Sequence, residues 1–233
     1  MGLALNDGPA IMDWSALSVS LRLAGFTCLI LLPVAIWLGR ALAYARFRAK
    51  GLCEALVALP LVLPPTVLGF YLLMSFGREA PVGSLWTDLT GGGLNFTFSG
   101  ILLASLIANL PFAVQPIQRA FEHVPNNLRE AAWCSGLSPW QTLLRIELPL
   151  VWPGIMSAAA LTFAHTLGEF GVILMVGGAI DGETRTLAIA IYDRVQAFDE
   201  QGAAQMSALL LLVSFITLGL VYGLAGRRRW VRG

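Results

Sequence analysis

Asn127-Leu128-Arg129-Glu130-Ala131-Ala132-Trp133-Cys134-Ser135-Gly136-Leu137-Ser138-Pro139-Trp140-Gln141-Thr142-Leu143-Leu144-Arg145-Ile146-Glu147-Leu148-Pro149 is a polar segment set between apolar runs of membrane-spanning length. Asn127, with Glu130 at N3, reads as an N-cap, and Gly136 suits the left-handed residue that closes a helix. Ser138, Pro139 and Gln141 repeat the logic as an S-x-x-Q capping box with proline at the first helical position. Pro149 is expected to stop the second helix. The expectation is two short helices joined by a tight glycine turn. A plain amphipathic connector on the membrane surface fits these caps. So does a helix pair that docks into another protein's groove, with Leu128, Ala131, Ala132 and Trp133 on its face.

Outward from this segment, five stretches meet the requirement of about 20 mostly apolar residues for a membrane helix. They are Ser18 to Tyr44, Ala55 to Phe76, Phe98 to Gln118, Leu150 to Val176 and Ala203 to Ala225. They are apolar all round rather than striped, as expected where lipid and neighbouring helices are both apolar. Arg22 and Arg40, near the ends of the first stretch, can snorkel to the headgroups. Composition agrees: 57% of residues are hydrophobic and only 12% charged, about half the charge that covers a soluble domain. That excludes an ordinary cytosolic enzyme, a nucleic-acid binder and a disordered chain. No internal repeat is evident, which sets aside inverted-repeat transporters.

Positive charge sets the expected orientation. Ten basic residues lie in the first loop, the third loop and the tail, against three (Arg78, Arg185 and Arg194) on the other side. The N-terminus is therefore expected outside and the C-terminus in the cytoplasm. Met1 to Trp14 holds two acids and no Lys or Arg, so a cleaved signal peptide is not expected. Gly178 to Gly202 is then an outer loop, and Gly91-Gly92-Gly93 a flexible outer turn.

Three features interrupt the apolar spans. Pro60, Pro64 and Pro65 break a membrane helix and free its carbonyls, which is tolerable where the segment is buried in protein or lines a cavity; a pathway lining and a simple kink are the two readings. Glu169 is an acid inside a span and should face a bundle interior, a partner or an aqueous gate. His165 lies one turn earlier on the same helix face, so the two make either a structural pair or a gate lining. An anion-binding role for Glu169 is poor physics, because like charges repel. Gly168 and Gly171 let backbones approach closely.

The spacing Glu130-Ala131-Ala132, three residues, Gly136, nine residues, Ile146, one residue, Leu148-Pro149 resembles the EAA signature of ABC-importer permeases, with every fixed position filled. Leu59 to Gly69 (LPLVLPPTVLG), and Leu167-Gly168-Glu169-Phe170-Gly171 followed by Gly182-Glu183-Thr184-Arg185-Thr186 and Ile191-Tyr192, resemble the molybdate permeases of that class. Those permeases usually have arginine where this chain has His165: either a cation in the pathway has become titratable, or it was never essential.

The resemblance implies an all-α, polytopic bundle of five transmembrane helices of the MetI-like type, a transmembrane domain over 14–226 and a coupling-helix loop over 120–149. It implies that Glu130, Ala131 and Ala132 dock on a cytoplasmic ABC ATPase, that Gly136 makes the turn, and that Ile146, Leu148 and Pro149 lead into the next span. His165, Gly168, Glu169, Phe170, Gly171, Pro60, Pro64 and Pro65 would line the pathway or gate. Implied partners are a second copy of the chain, the ATPase subunits, an extracytoplasmic oxyanion-binding protein and the lipid of a prokaryotic inner membrane. No cofactor is bound by the chain itself; ATP is used by the partner. Tungstate, sulfate or thiosulfate permeases are the rivals within the class, and an ATP-independent channel or carrier the rival outside it.

The chain lacks the parts for catalysis of its own. Its only lysine, Lys50, sits in no GxxxxGK[ST] loop, and His123 and His165 are its only histidines, in no H-E-x-x-H. A membrane enzyme is therefore the weakest rival. His123 reads as a loop histidine near a helix end. Cys28, Cys53 and Cys134 are too scattered for a disulfide framework or a CxxC metal site and read as small packing residues.

Overall fold

The computed structural model describes residues 13–230. Met1 to Met12, the larger part of the stretch expected to carry no signal peptide, and Arg232 of the basic tail lie outside them. Among the described residues there is no strand. The elements are α1 (Trp14–Tyr44), α2 (Lys50–Val62), α3 (Pro65–Ser75), α4 (Pro81–Thr90), α5 (Phe98–Glu122), α6 (Asn126–Cys134), α7 (Pro139–Thr142), a π-turn (Leu143–Glu147), α8 (Leu148–Gly168), α9 (Gly171–Gly177), α10 (Leu187–Gln196) and α11 (Glu200–Trp230).

Among the described residues, four segments are long and apolar enough to cross a membrane: Trp14–Tyr44, Phe98–Glu122, Pro139–Gly168 and Glu200–Val221. The pair α2 and α3, bent by 108°, makes a fifth if counted as one span. The chain is thus an all-α, multi-pass bundle, as its apolar runs require. Local signals start the long helices. Asp13 caps α1 by accepting from the Ala16 N–H at 2.8 Å, and Thr97 caps α5 by accepting from Gly100 at 3.2 Å.

The core forms where α1, α5 and α8 pack together, around Leu31, Ala35, Val114, Ile117, Phe121, Val151 and Ile155. A second cluster joins α3, α5 and α9 through Leu68, Leu72, Ala104, Val172 and Val176. By contrast, only 6% of the apolar window of α11 is buried, and Leu211 and Phe215 are largely exposed. An apolar face of that kind needs lipid or another protein as its solvent.

Five expectations change. The second span is two helices: Leu63 and Pro64 are extended, because the residue before a proline avoids the helical region and Pro64 is followed by Pro65 at the first position of α3. Pro60 lies inside α2 without ending it.

The fourth span is also divided, since α8 ends at Gly168 and Glu169 is extended before α9. Pro149 does not stop the second loop helix. The Leu148 N–H reaches back to the Leu143 carbonyl, and this π-turn takes up the register change that a proline without an N–H would otherwise force as a break.

The segments expected as outer loops carry helices, α4 and α10, and Gly91 is the left-handed cap of α4 rather than part of a flexible turn. Finally, Asn127 is not a cap: α6 starts at Asn126, with Pro125 in the capping position and no side-chain cap.

Candidate functional site

The break between α2 and α3 and the break between α8 and α9 face one another. Between them lies a cavity of about 120 Å³ lined by Pro60, Pro65, Phe112, His165, Glu169 and Val172, among others. Pro60, Pro65, His165 and Glu169, scattered over more than a hundred positions of sequence, therefore meet at one place. Pro64 makes the kink that aims α3 but does not line the cavity.

The space is closed tightly at Gly171, where a Cβ would come 2.8 Å from the Pro65 Cβ, so only glycine lets the two breaks approach this far. Gly168 is different. Nothing lies within 4 Å of where its Cβ would be, so within this chain it is not a close-approach residue. Phe170 turns away and packs against Tyr192 at a centroid distance of 4.9 Å.

Polar groups run from the cavity into the bundle. Glu169, 7% exposed, accepts from the Val172 N–H at 3.3 Å, and its other oxygen lies 3.6 Å from His165 Nδ1. The imidazole is stacked on Phe112, with centroids 4.0 Å apart, and its Nδ1 bonds to Asn109 Oδ1 at 3.1 Å. Asn109 donates to the Ser105 carbonyl at 2.9 Å and to its hydroxyl at 3.2 Å, and that hydroxyl pairs with Thr27 at 3.0 Å. Burying an ionised carboxylate at membrane depth costs about 2.5–3.5 kcal/mol on insertion scales, and the Val172 N–H and the neighbouring imidazole are the polar groups placed to offset it.

Asn109 was missed by sequence reading. The available signal was Ser105 and Asn109 at i,i+4, a polar pair on one face of an uncharged apolar helix.

The loop forms a second centre. Gly136, at φ +80°, closes α6 in a Schellman motif: the Leu137 N–H bonds to the Ala132 carbonyl at 3.1 Å and the Gly136 N–H to that of Trp133 at 3.0 Å. Ser138 and Gln141 form the expected reciprocal capping box, at 3.2 and 2.9 Å.

Glu130 and Ala131 are exposed, as are Leu128 and Trp133 at 41% and 47%. Ala132 is not part of that face: at 6% exposure it is buried against the chain's own loop. Ile146 and Leu148 are half-buried and Pro149 is exposed at the start of α8. His123 sits at the C-terminal end of α5, its Nδ1 2.6 Å from the Arg119 carbonyl. Cys134 is exposed at the end of α6 rather than packed.

Glu147, which falls at a variable position of the EAA spacing, is fully buried. Arg40 of α1 binds it through Nε and Nη2, and Arg129 of α6 places its Nε 3.1 Å from the same carboxylate, without a well-aligned hydrogen bond. The Arg129 guanidinium lies over the Tyr44 ring at 3.5 Å. Arg40 is thus an ion-pair partner rather than a snorkelling residue, and Arg22 stacks over Phe98 at 5.0 Å.

A family model, binding-protein-dependent transport system inner membrane component, matches residues 32–231. The chain belongs to this family. Its members are inner-membrane components, in keeping with the multi-pass fold and with a non-enzymatic membrane subunit. The chain is 46% identical to the molybdenum transport system permease protein ModB of Azotobacter vinelandii over 90% of its own length and 93% of the relative's. It is 36% identical to the protein of the same name from Escherichia coli, over 88% and 90%. A probable sulfate transport system permease of Chlorella vulgaris is 33% identical over 76% of this chain and 66% of that one.

Among solved structures, a bacterial ABC transporter involved in alginate import shares the fold, with a TM-score of 0.74 at 17% identity, covering 91% of this chain and 78% of that one. The MetNI methionine ABC transporter does so with a TM-score of 0.68 at 18% identity, covering 92% and 93%.

Proposed function

We propose that this chain is the membrane-spanning subunit of an ATP-driven importer that carries molybdate across the inner membrane. The observation that carries the reading is the 46% identity to a molybdenum permease over 93% of that relative's length, against 33% over 66% for the sulfate permease. The exposed face of α6, bearing Glu130 and Trp133 and fixed by the Schellman turn at Gly136, is the surface that docks a cytoplasmic ATPase. Hydrolysis of ATP belongs to that subunit, and this chain binds no cofactor.

A second copy covers the apolar faces that one copy leaves open, notably Val67, Phe70 and Tyr71 of α3 beside the cavity. Two copies then line one path, fed from outside by an oxyanion-binding protein. The basic loops lie in the cytoplasm, which puts the N-terminus outside. The transmembrane domain runs over 14–226 and its coupling loop over 120–149. His165, Glu169 and the two helix breaks belong to the gate of that path, where the Glu169 carboxylate repels the anion rather than binding it.

The test is uptake into proteoliposomes holding this chain, its ATPase and a loaded binding protein. ATP-dependent molybdate uptake, outcompeted by neither sulfate nor thiosulfate, is expected. Uptake without ATPase would mean a channel or carrier, and preferential sulfate uptake the sulfate branch. Tungstate, of nearly the same size and charge, is the harder competitor and is compared directly.

A further inference from the structure

We propose that Glu147 is the positioning residue that ties the docking helix to the first membrane span, so that movement of α6 is passed to α1 and α8. This rests on the reading that α6 docks the ATPase, and it goes beyond it by naming the part that transmits the movement.

Three observations carry it. Glu147 is fully buried and is the one carboxylate shared by Arg40 of α1 and Arg129 of α6, residues from opposite ends of the loop assembly. Arg129 is held in place independently, with its guanidinium 3.5 Å over Tyr44 of α1 and 5.1 Å from Trp133 on the exposed docking face. The third is the π-turn. Thr142 and Glu147 are both buried although five residues apart, and Val151, four residues further on, is buried too. In an uninterrupted α-helix a five-residue step points about 140° away. The extra residue of the π-turn, closed by the Leu148 N–H on the Leu143 carbonyl, turns Glu147 inward at the base of α8.

Glu147 is the buried member of this cluster, and parting it from both arginines would leave its charge without a partner. The docking helix, the first span and the root of α8 therefore move as one piece. Without Glu147, α6 stays capped by its own turns and keeps its Arg129–Tyr44 stack, but loses the charged tie that joins it to Arg40 and to the root of α8.

The experiment uses the full complex in proteoliposomes, with Glu147→Gln, and reads three quantities: co-purification of the ATPase, ATP hydrolysis, and molybdate taken up per ATP. The expected result is retained co-purification and hydrolysis with uptake per ATP lowered about tenfold. Arg40→Gln, which removes the α1 arm and leaves the docking face untouched, is expected to lower the same ratio. An unchanged ratio in both variants overturns the proposal. So does loss of the ATPase with an unchanged ratio in the complexes that remain, which would make Glu147 a prop for the docking surface alone. Failure of both variants to reach the membrane also overturns it, since the triad would then be needed only for folding. Failure of the parent reading looks different: Ala131→Leu, on the exposed face of α6, would still bind the ATPase and transport like wild type.

Discussion

His165 of α8 is hydrogen-bonded through Nδ1 to the Asn109 Oδ1 of α5, 3.1 Å away. Because Asn109 donates its amide to Ser105, its oxygen is left as the acceptor, and the network assigns a proton to His165 Nδ1. Glu169, 3.6 Å from the same nitrogen, is therefore one of two partners competing for one donor. The i,i+4 pair visible in the sequence is in fact the end of a buried polar chain.

That chain makes a graded prediction. In a double-mutant cycle of Glu169→Gln and His165→Gln, read in molybdate uptake with membrane levels checked, the single losses are expected to exceed the double by a coupling of about 0.5–3 kcal/mol. Asn109→Ala leaves buried groups without partners and is expected to cost about 1–3 kcal/mol, read as a lowered Tm in detergent. His165→Arg places a cation beside Glu169 and is expected to retain uptake. Strictly additive losses would mean that His165 and Glu169 do not act together.

The two glycines of the LGEFG segment should behave oppositely. Gly171→Ala sets a methyl group 2.8 Å from the Pro65 Cβ, so α9 and α3 must separate, whereas Gly168→Ala meets nothing within 4 Å. The first is expected to cost about 1–3 kcal/mol by overpacking, and the second to stay within about 0.5 kcal/mol. Thermal unfolding of both in the same detergent decides it. A sensitive Gly168 would place a second copy of the chain against that residue.

The site residues that were legible in the sequence carry an obvious cost in lipid whatever they touch. Prolines remove a donor, and ionisable side chains resist burial, so Pro60, Pro65, His165 and Glu169 stood out before their meeting place was known. Asn109 carries no charge and passed as one weakly polar residue in a helix. Glu147 was hidden for another reason. Its partner Arg40 lies 107 residues away, and each alone looked like an ordinary charge near the end of a span.

Local capping was readable at Gly136 and Ser138, where a backbone shape demands a residue type, but not at Asn127, since Pro125 takes the capping position and the helix begins at Asn126. The π-turn is not legible in the sequence because proline at 149 has two remedies, a break or a wider turn, and the second is the one that brings Glu147 to its distant partners.

Topology can be tested with reporter fusions. The expected pattern is an extracytoplasmic signal after Gly92 and after Gly182, both on glycines with open space or solvent beside them, and a cytoplasmic signal after Asn126. Fusion within α4 is avoided, because Gly83 is buried there against the Phe76 and Gly77 carbonyls. A cytoplasmic signal at either of the first two sites would overturn the orientation and the counting of the bent pair as one span.

Ala131 and Ala132, adjacent in the EAA signature, separate docking from folding. Ala131 is exposed on α6 and Ala132 is 6% exposed beneath it. A leucine at 132 must displace packed neighbours, so Ala132→Leu is expected to cost about 1–3 kcal/mol, seen as a lower Tm and lower membrane levels. A leucine at 131 has room within the chain, and Ala131→Leu is expected to leave stability within about 0.5 kcal/mol. Its effect should appear only when the ATPase is present, as reduced co-purification and reduced uptake, because the added bulk sits where a partner's groove must close on the helix. If Ala131→Leu binds the ATPase and transports like wild type, the exposed face of α6 is not the contact, and docking would have to run through Trp140 and the other exposed residues of α7.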